Sequence, residues 1–245
     1  MKILAIGNSF SEDGTRYLYQ IAKAAQIDMK VVNLTIGGCP LRLHFANSIE
    51  NNRNYGMQLN GMASGFKVSI REALLSDEWD VVTIQQVSSA SPRYETFQPY
   101  LNYMADYIRM HAPKAKLYLQ QTWAYEEGSK RLCEELRYEK AEDMLKDIQT
   151  SYQQAAKEIH ADGIIPSGEV MYEMIKRGVE KVHRDTFHAK LGIGRYAIGL
   201  TWYATLTGND VMNNPFTDLV EEASEEDMQI ARKCVRDIVF GADKQ

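Results

Sequence analysis

Five short apolar or β-branched runs alternate with helical patterns along this chain. That alternation limits the fold more than any other feature. The runs are residues 3–6, 30–36, 80–85, 116–120 and 163–166; helical periodicity marks 15–25, 67–75, 97–111 and 134–160 between them. Strands separated by helices need crossover connections, so the pattern predicts a parallel sheet with helices on both faces and right-handed crossovers. Further helices are expected at 169–177, 189–206 and 224–240. The 189–206 segment is apolar nearly all round and is expected to be buried. Ser224-x-x-Asp227 reads as an N-cap with an acidic first turn. Residues 39–66 fit neither period. With Asn47, Asn51, Asn52, Asn54, Asn60, Gly56, Gly61 and Gly65 they read as a long surface excursion, and loops of that length are often functional. No repeat or linker divides the chain, and 44% hydrophobic residues suit one core, so residues 1–245 are expected to form one domain.

The bulk chemistry excludes several classes. A formal net charge of -5 argues against nucleic acid or an anionic membrane as the main partner. Cys39, Cys133 and Cys234 are far apart and show no CxxC or Cys/His ligand spacing. Neither a disulfide framework nor a metal site is indicated, and all three read as small buried hydrophobes. No apolar run approaches the roughly 18 residues of a membrane span. The short N-terminal apolar run is not a signal peptide. As it stands the chain reads as cytoplasmic; it would be periplasmic or secreted if a signal had been removed.

The first strand leads straight into Gly7-Asn8-Ser9-Phe10-Ser11. Open α/β sheets bind ligands outside the carboxyl ends of their strands, which makes Ser9 a candidate nucleophile. It would need a base; otherwise it is an N-cap or phosphate-loop serine. His111 and His160 fall at expected helix ends, where a cation suits the dipole. His44, in the excursion, could line a site. His183 and His188 flank Arg184-Asp185-Thr186-Phe187. In Asp185-x-x-His188 the carboxylate can hold Nδ1–H and leave Nε2 free to take a proton from serine. Its alternative is a helix cap with a first-turn histidine. Gly37-Gly38, after the second strand, would let backbone N–H groups approach a substrate, or is simply a turn. Gln85 and Gln86 end the third strand. A side-chain amide there can donate to an oxyanion, typically worth about 3–4 kcal/mol, and strand alternation turns only one of the two toward a site.

In that order along the chain, these blocks resemble the SGNH hydrolases, the GDSL-like esterase and lipase superfamily. Gly7-Asn8-Ser9-Phe10-Ser11 resembles the first block, Gly38 the second-block glycine and Asp185-x-x-His188 the last. The Gly-Asn-Ser-Phe-Ser start and Ile36-Gly37-Gly38-Cys39 are similar to the bacterial DUF4886-type group. The resemblance implies a flavodoxin-like three-layer α/β/α sandwich on a five-stranded parallel sheet, order 2-1-3-4-5, with no metal or organic cofactor. Ser9 would be nucleophile, His188 general base and Asp185 its orienter. The Ser9 and Gly38 amides would form two thirds of the oxyanion hole. Asn8 replaces the usual aspartate. Ile84-Gln85-Gln86-Val87-Ser88 stands where the family carries Gly-x-Asn-Asp, similar to carbohydrate esterase branches with glutamine in this block, so Gln85, or failing it Gln86, is expected to be the third donor.

An α/β-hydrolase is disfavoured, because Ser11 stands where Gly-x-Ser-x-Gly needs its second glycine and the serine is near the start. A flavodoxin-like module binding phosphate or flavin would leave Asp185-x-x-His188 without a role. A degenerate member that binds sugar without cleaving it is the other rival. Gln121, Trp123, Tyr125 and residues 51–55 suit a sugar face, and no apolar lid for long acyl chains is visible. Trp123 and His44 are therefore the candidate substrate contacts, with core packing the alternative for Trp123. The expected activity is O-deacylation, removing acetyl from a carbohydrate or another small ester. It should fade as pH drops through an imidazole pKa of about 6.5.

Overall fold

Strand β1 (Lys2–Gly7) runs through the middle of the sheet, and its composition says why. Ile3, Leu4, Ala5 and Ile6 are all buried, a continuous apolar run of the kind a strand covered on both faces requires. The computed structural model describes residues 1–241. β2 (Lys30–Thr35) and β5 (Val81–Ile84) flank β1 in parallel, and β6 (Lys116–Gln120) and β7 (Gly163–Ile165) continue on the β5 side. Register such as Ile3↔Val31 and Ile3↔Val81 brings the carboxyl ends of β1, β2 and β5 to one edge. The loops after these three strands therefore meet there.

The sheet is not the expected five-stranded parallel one. It is mixed, with seven strands in the order β4-β3-β2-β1-β5-β6-β7. The additional strands, β3 (Tyr55–Leu59) and β4 (Met62–Val68), form an antiparallel hairpin on the outer side of β2. They lie within the segment read as a surface excursion, which also contains helix α3 (Leu41–Glu50). Asn60 and Gly61 join the strands with φ of 52° and 82°, both left-handed, as a two-residue hairpin turn requires. Asn51 closes α3 with φ 54°. Asn51, Asn60 and Gly61 are thus cap and turn residues, and Asn47, Gly56 and Gly65 lie within α3, β3 and β4. The strands escaped notice because β4 lies at the sheet edge with mostly exposed side chains, so burial imposes no alternation on it.

Helices cover both faces. On one, α8 (Ile193–Thr207) packs against α1 (Ser9–Thr15), α2 (Leu18–Ala24), α7 (Ser167–Lys176) and α9 (Glu225–Phe240). On the other, α5 (Tyr100–His111) packs against α3 and α4 (Ile70–Leu75). Every residue of α8 from Ile193 to Ala204 is buried, as its all-round apolar sequence requires. Ser224 caps α9 by accepting from the Asp227 N–H. The helix expected at 15–25 is instead the pair α1 and α2, with α1 starting at Ser9 itself. The one expected at 134–160 is α6 (Ala141–Glu158), preceded by a single π-helical turn, Arg131–Glu135. Among the described residues no helix is long and apolar enough to cross a membrane.

Candidate active site

At the end of β1 the chain turns sharply into α1, and Asn8 holds the turn. Its Oδ1 accepts from the Phe10 N–H at 3.0 Å, an N-cap bond. Its Nδ2 donates to the Cys39 carbonyl at 3.1 Å, tying the loop after β1 to the loop after β2. An aspartate could not make that second bond. Ser9 follows in the first turn of α1, and its Oγ lies 2.7 Å from His188 Nε2. His188 Nδ1 lies 2.8 Å from Asp185 Oδ2, and Asp185 Oδ1 accepts the His188 backbone N–H at 2.9 Å. One carboxylate thus grips both the ring and the backbone of the same histidine. With Nδ1–H donated to Asp185, Nε2 is left as the acceptor for the serine hydroxyl. Partial burial pushes the Asp185 carboxyl pKa up, but its bonds to the ring and backbone of His188 pull it further down, and the net value lies below the ordinary one.

The loop that carries this pair is anchored from below by a residue that sequence reasoning missed. Asp13, in α1, is fully buried. It accepts from Arg184 Nη1 at 2.9 Å, Arg195 Nε at 2.8 Å and the Ala189 backbone N–H at 3.0 Å. Its partners bracket His188 on both sides. The helix that bears Ser9 and the loop that bears His188 are therefore joined by one buried ionic cluster. An acid one helical turn beyond Ser9 carries no sign in sequence that it will be buried; only the packing of α1 on α8 buries it.

Gly38 adopts φ +62°, and a Cβ there would meet nothing, so backbone conformation rather than space requires glycine. The N–H groups of Ser9 and Gly38 make no hydrogen bond to any described residue. Both residues line a cleft of about 440 Å³ with His188, Ser88, Tyr125 and Arg131.

Four expected site residues are not in that cleft. Gln85 is buried and its Nε2 donates to Asn8 Oδ1 at 2.9 Å. The Phe10 N–H already fixes Asn8 Oδ1 as an acceptor, so the Gln85 amide must turn its NH₂ inward as a brace for the turn. Gln86 spends its amide on loop backbone. Its Oε1 accepts from Leu41 and Val87 N–H, and its Nε2 donates to the Thr96 carbonyl. Neither glutamine is the third oxyanion donor, because each is used up in holding neighbouring loops. The side chain after β5 that does line the cleft is Ser88, its Oγ 2.9 Å from Tyr125 Oη.

Trp123 is fully buried, stacked on Phe10 with ring centroids 4.0 Å apart, and its Nε1 donates to the Phe187 carbonyl at 2.7 Å. It supports the histidine loop and touches no solvent. His44 is also fully buried, with Nδ1 2.8 Å from Tyr55 Oη and 3.5 Å from Cys39 Sγ. Burial pushes its ring down to about 3, so it is neutral and structural. Burial likewise pushes the Cys39 thiol up to about 12, against a smaller pull from Tyr55. The third cysteine reading is partly corrected, since Cys39 and Cys234 are buried but Cys133 is exposed. His183 meets the Ala124 carbonyl at 3.0 Å, and burial lowers it too. Arg131 is a further residue that sequence reasoning missed; its guanidinium lies 4.0 Å from the centre of the Phe187 ring. Among the described residues no group of three or more His, Cys, Asp or Glu side chains is placed to hold a metal ion.

The seven-stranded α/β fold is similar to that of solved SGNH-type structures. A protein of that assignment from Slackia heliotrinireducens superposes with a TM-score of 0.61 at 20% identity, over 84% of this chain and 98% of that one. The acetylxylan esterase Axe2 from Geobacillus stearothermophilus superposes at 0.50 and 14% identity, over 82% and 90%. At these identities the likeness is one of fold. The family model DUF4886, described as a domain of unknown function, matches residues 2–238, and the chain belongs to that family. The crystal structure of a DUF4886 protein from Bacteroides uniformis superposes with a TM-score of 0.92 at 29% identity, over 100% of this chain and 96% of that one. Comparison with curated proteins gives no match.

Proposed function

We propose that this protein is a serine esterase that removes an acyl group, acetyl above all, from a carbohydrate ester. The observation that carries the reading is the continuous line Ser9 Oγ–His188 Nε2, Nδ1–Asp185 at 2.7 and 2.8 Å. Such a line suits a serine nucleophile activated by a histidine base. His188 Nε2 takes the Ser9 proton as Oγ attacks the acyl carbonyl carbon. The carbonyl oxygen becomes an oxyanion, and the unpaired Ser9 and Gly38 N–H groups are its donors. The intermediate collapses, the sugar alkoxide leaves with the proton from Nε2, and an acyl-enzyme remains on Oγ. His188 then deprotonates a water, which attacks the same carbon and releases the free acid and Ser9. Asp185 stays ionised throughout, holding the ring tautomer and balancing the transient imidazolium.

The cleft supports a short acyl group and a polar alcohol. It is lined by Ser88 and Tyr125, whose hydroxyls are paired with each other, and has aromatic surface at half-buried Phe187. Sugar rings use that mixture of apolar face and hydroxyl partner. The acetylxylan esterase among the neighbours acts in the same fold. The test is acetate release from acetylated xylo-oligosaccharides and from p-nitrophenyl acetate. Ser9→Ala should lower turnover at least about 10³-fold while binding survives. Equal turnover by wild type and Ser9→Ala overturns the nucleophile, and no turnover of any ester by wild type overturns the esterase reading.

A further inference from the structure

The catalytic cleft does not end at the triad. Ser89 lines it and also lines a second recess of about 370 Å³, so the two adjoin at Ser89 and together make a groove. The second recess is bounded by Arg93 and Arg137, with Tyr138 and a single carboxylate, Glu135. Arg131 stands in the first part of the groove, on the π-helical turn that also bears Glu135. All three arginines are exposed. None of their side chains, like those of Arg42 and Arg71, forms an ion pair or donates a hydrogen bond to a described residue, whereas those of Arg53, Arg177, Arg184, Arg195, Arg232 and Arg236 do. Three guanidinium groups against Glu135 and Asp147, the latter accepting from Tyr138 Oη at 2.6 Å, leave a cationic track on a protein whose net charge is -5. Arg131 is seated over the Phe187 ring, next to the ring of His188 3.9 Å away. Its charge is therefore held in the cleft that Ser9 and His188 also line.

We propose that this groove binds an acidic saccharide chain, with the ester on a sugar at Ser9 and the carboxylates of that sugar and of its neighbours on Arg131, Arg93 and Arg137. The proposal rests on the esterase reading for the position of the scissile ester. The guanidinium fork matches a carboxylate in two parallel hydrogen bonds, and a groove wall already free of internal ion pairs gives up none on binding. A neutral acetylated chain would leave the track unused. The substrate class that follows is O-acylated uronate-type oligosaccharide rather than neutral xylan. A reaction that forms or exposes short acidic chains must then supply the substrate.

Binding is read on Ser9→Ala protein by calorimetry with trigalacturonic acid, xylotriose and citrate. The acidic trisaccharide should bind at least about tenfold more tightly than xylotriose, and binding should weaken as salt rises. Arg93→Gln/Arg137→Gln should lose that preference, and Arg93→Lys/Arg137→Lys should keep much of it, since the charge remains. In wild type, Arg131→Gln should lower kcat/KM for acetylated acidic chains more than for acetylated neutral ones. Equal binding of the two trisaccharides, no binding, or equal loss in the glutamine and lysine pairs overturns the proposal. Citrate binding as tightly as the trisaccharide overturns its saccharide part. Wild type that cleaves p-nitrophenyl acetate yet shows no acidic preference fails this proposal alone; acidic binding without any ester turnover fails the esterase reading alone.

Discussion

Replacing Asp185 with asparagine is the sharpest perturbation of the triad, because the two side chains have the same shape. Asp185 serves two donors at once, the His188 ring and the His188 backbone N–H. An amide has only one oxygen. If it faces the backbone N–H, its NH₂ faces Nδ1 and drives the proton to Nε2, where it blocks the serine. If it faces the ring, the NH₂ meets the backbone N–H, a donor against a donor. The first orientation keeps both bonds but fixes the wrong tautomer; restoring the right one means the second orientation, which gives up one bond at about 1–3 kcal/mol. The charge goes as well. A carboxylate and an imidazolium about 4 Å apart attract by about 1 kcal/mol in water and about 4 kcal/mol at an effective dielectric near 20. The Asp185 side chain is 46% exposed and that of His188 17%, so screening brings this to about 2 kcal/mol. Together the barrier should rise by about 4 kcal/mol, roughly a 10³-fold fall in kcat. KM for p-nitrophenyl acetate should hardly move, since Asp185 is placed behind the ring rather than on the substrate. Steady-state kinetics with a thermal melt as fold control measures both. A folded variant whose kcat falls less than about tenfold would refute the orienting role of Asp185.

Asp13→Asn should cost about 3–5 kcal/mol of unfolding free energy in urea, because buried Arg195 would keep only the partly exposed Glu12, 4.0 Å away, to offset its charge; a loss under about 1 kcal/mol would mean the cluster is not a strut. His44 sets a pH dependence of stability. Its folded pKa, about 3, lies below the ordinary 6.5, so the unfolded chain takes up the proton first as pH falls. Its contribution is therefore complete above pH 6.5 and drains at about 1.4 kcal/mol per unit down to pH 3. In His44→Asn, the loss of stability between pH 7 and pH 5 should be smaller than in wild type by about 2 kcal/mol; parallel losses in urea titrations would refute this. Asp185 acts in the same direction at lower pH. Its folded pKa is depressed, so its contribution is present above the ordinary carboxylate value and is lost as pH falls through the depressed one. Titration of the Asp185 carboxyl should accordingly contribute no loss of activity above the ordinary carboxylate value, as a kcat profile with Asp185→Asn for comparison would show.

Much of this was legible in the chain because it is local. A buried parallel strand must be continuously apolar, and 3–6 is. A nucleophile turn must leave the strand end with small and capping residues, and Gly7-Asn8-Ser9 does. Asp185 and His188 lie three residues apart, so their contact needs only a loop. The hairpin after α3 was harder, because an edge strand with a wet face has no burial to impose a pattern. Its one clear mark, Asn60-Gly61, was hidden among other asparagines and glycines.

What the sequence determined by itself, then, is the parallel core, the order of its blocks and the identity of the three groups now in line, since each depends on periodicity or on neighbours a few residues away. What only the tertiary structure decided is where side chains point at strand ends and what lies beneath the loops. Gln85 and Gln86 have the right chemistry for an oxyanion and the wrong direction, because nearer backbone and amide groups claim their hydrogen bonds. Trp123 and His44 suit a substrate chemically, yet they pack inward. Asp13 was an ordinary helix acid until α8 closed over it. Burial and competition for hydrogen bonds are properties of residues far apart in sequence, so they exist only once the chain has folded.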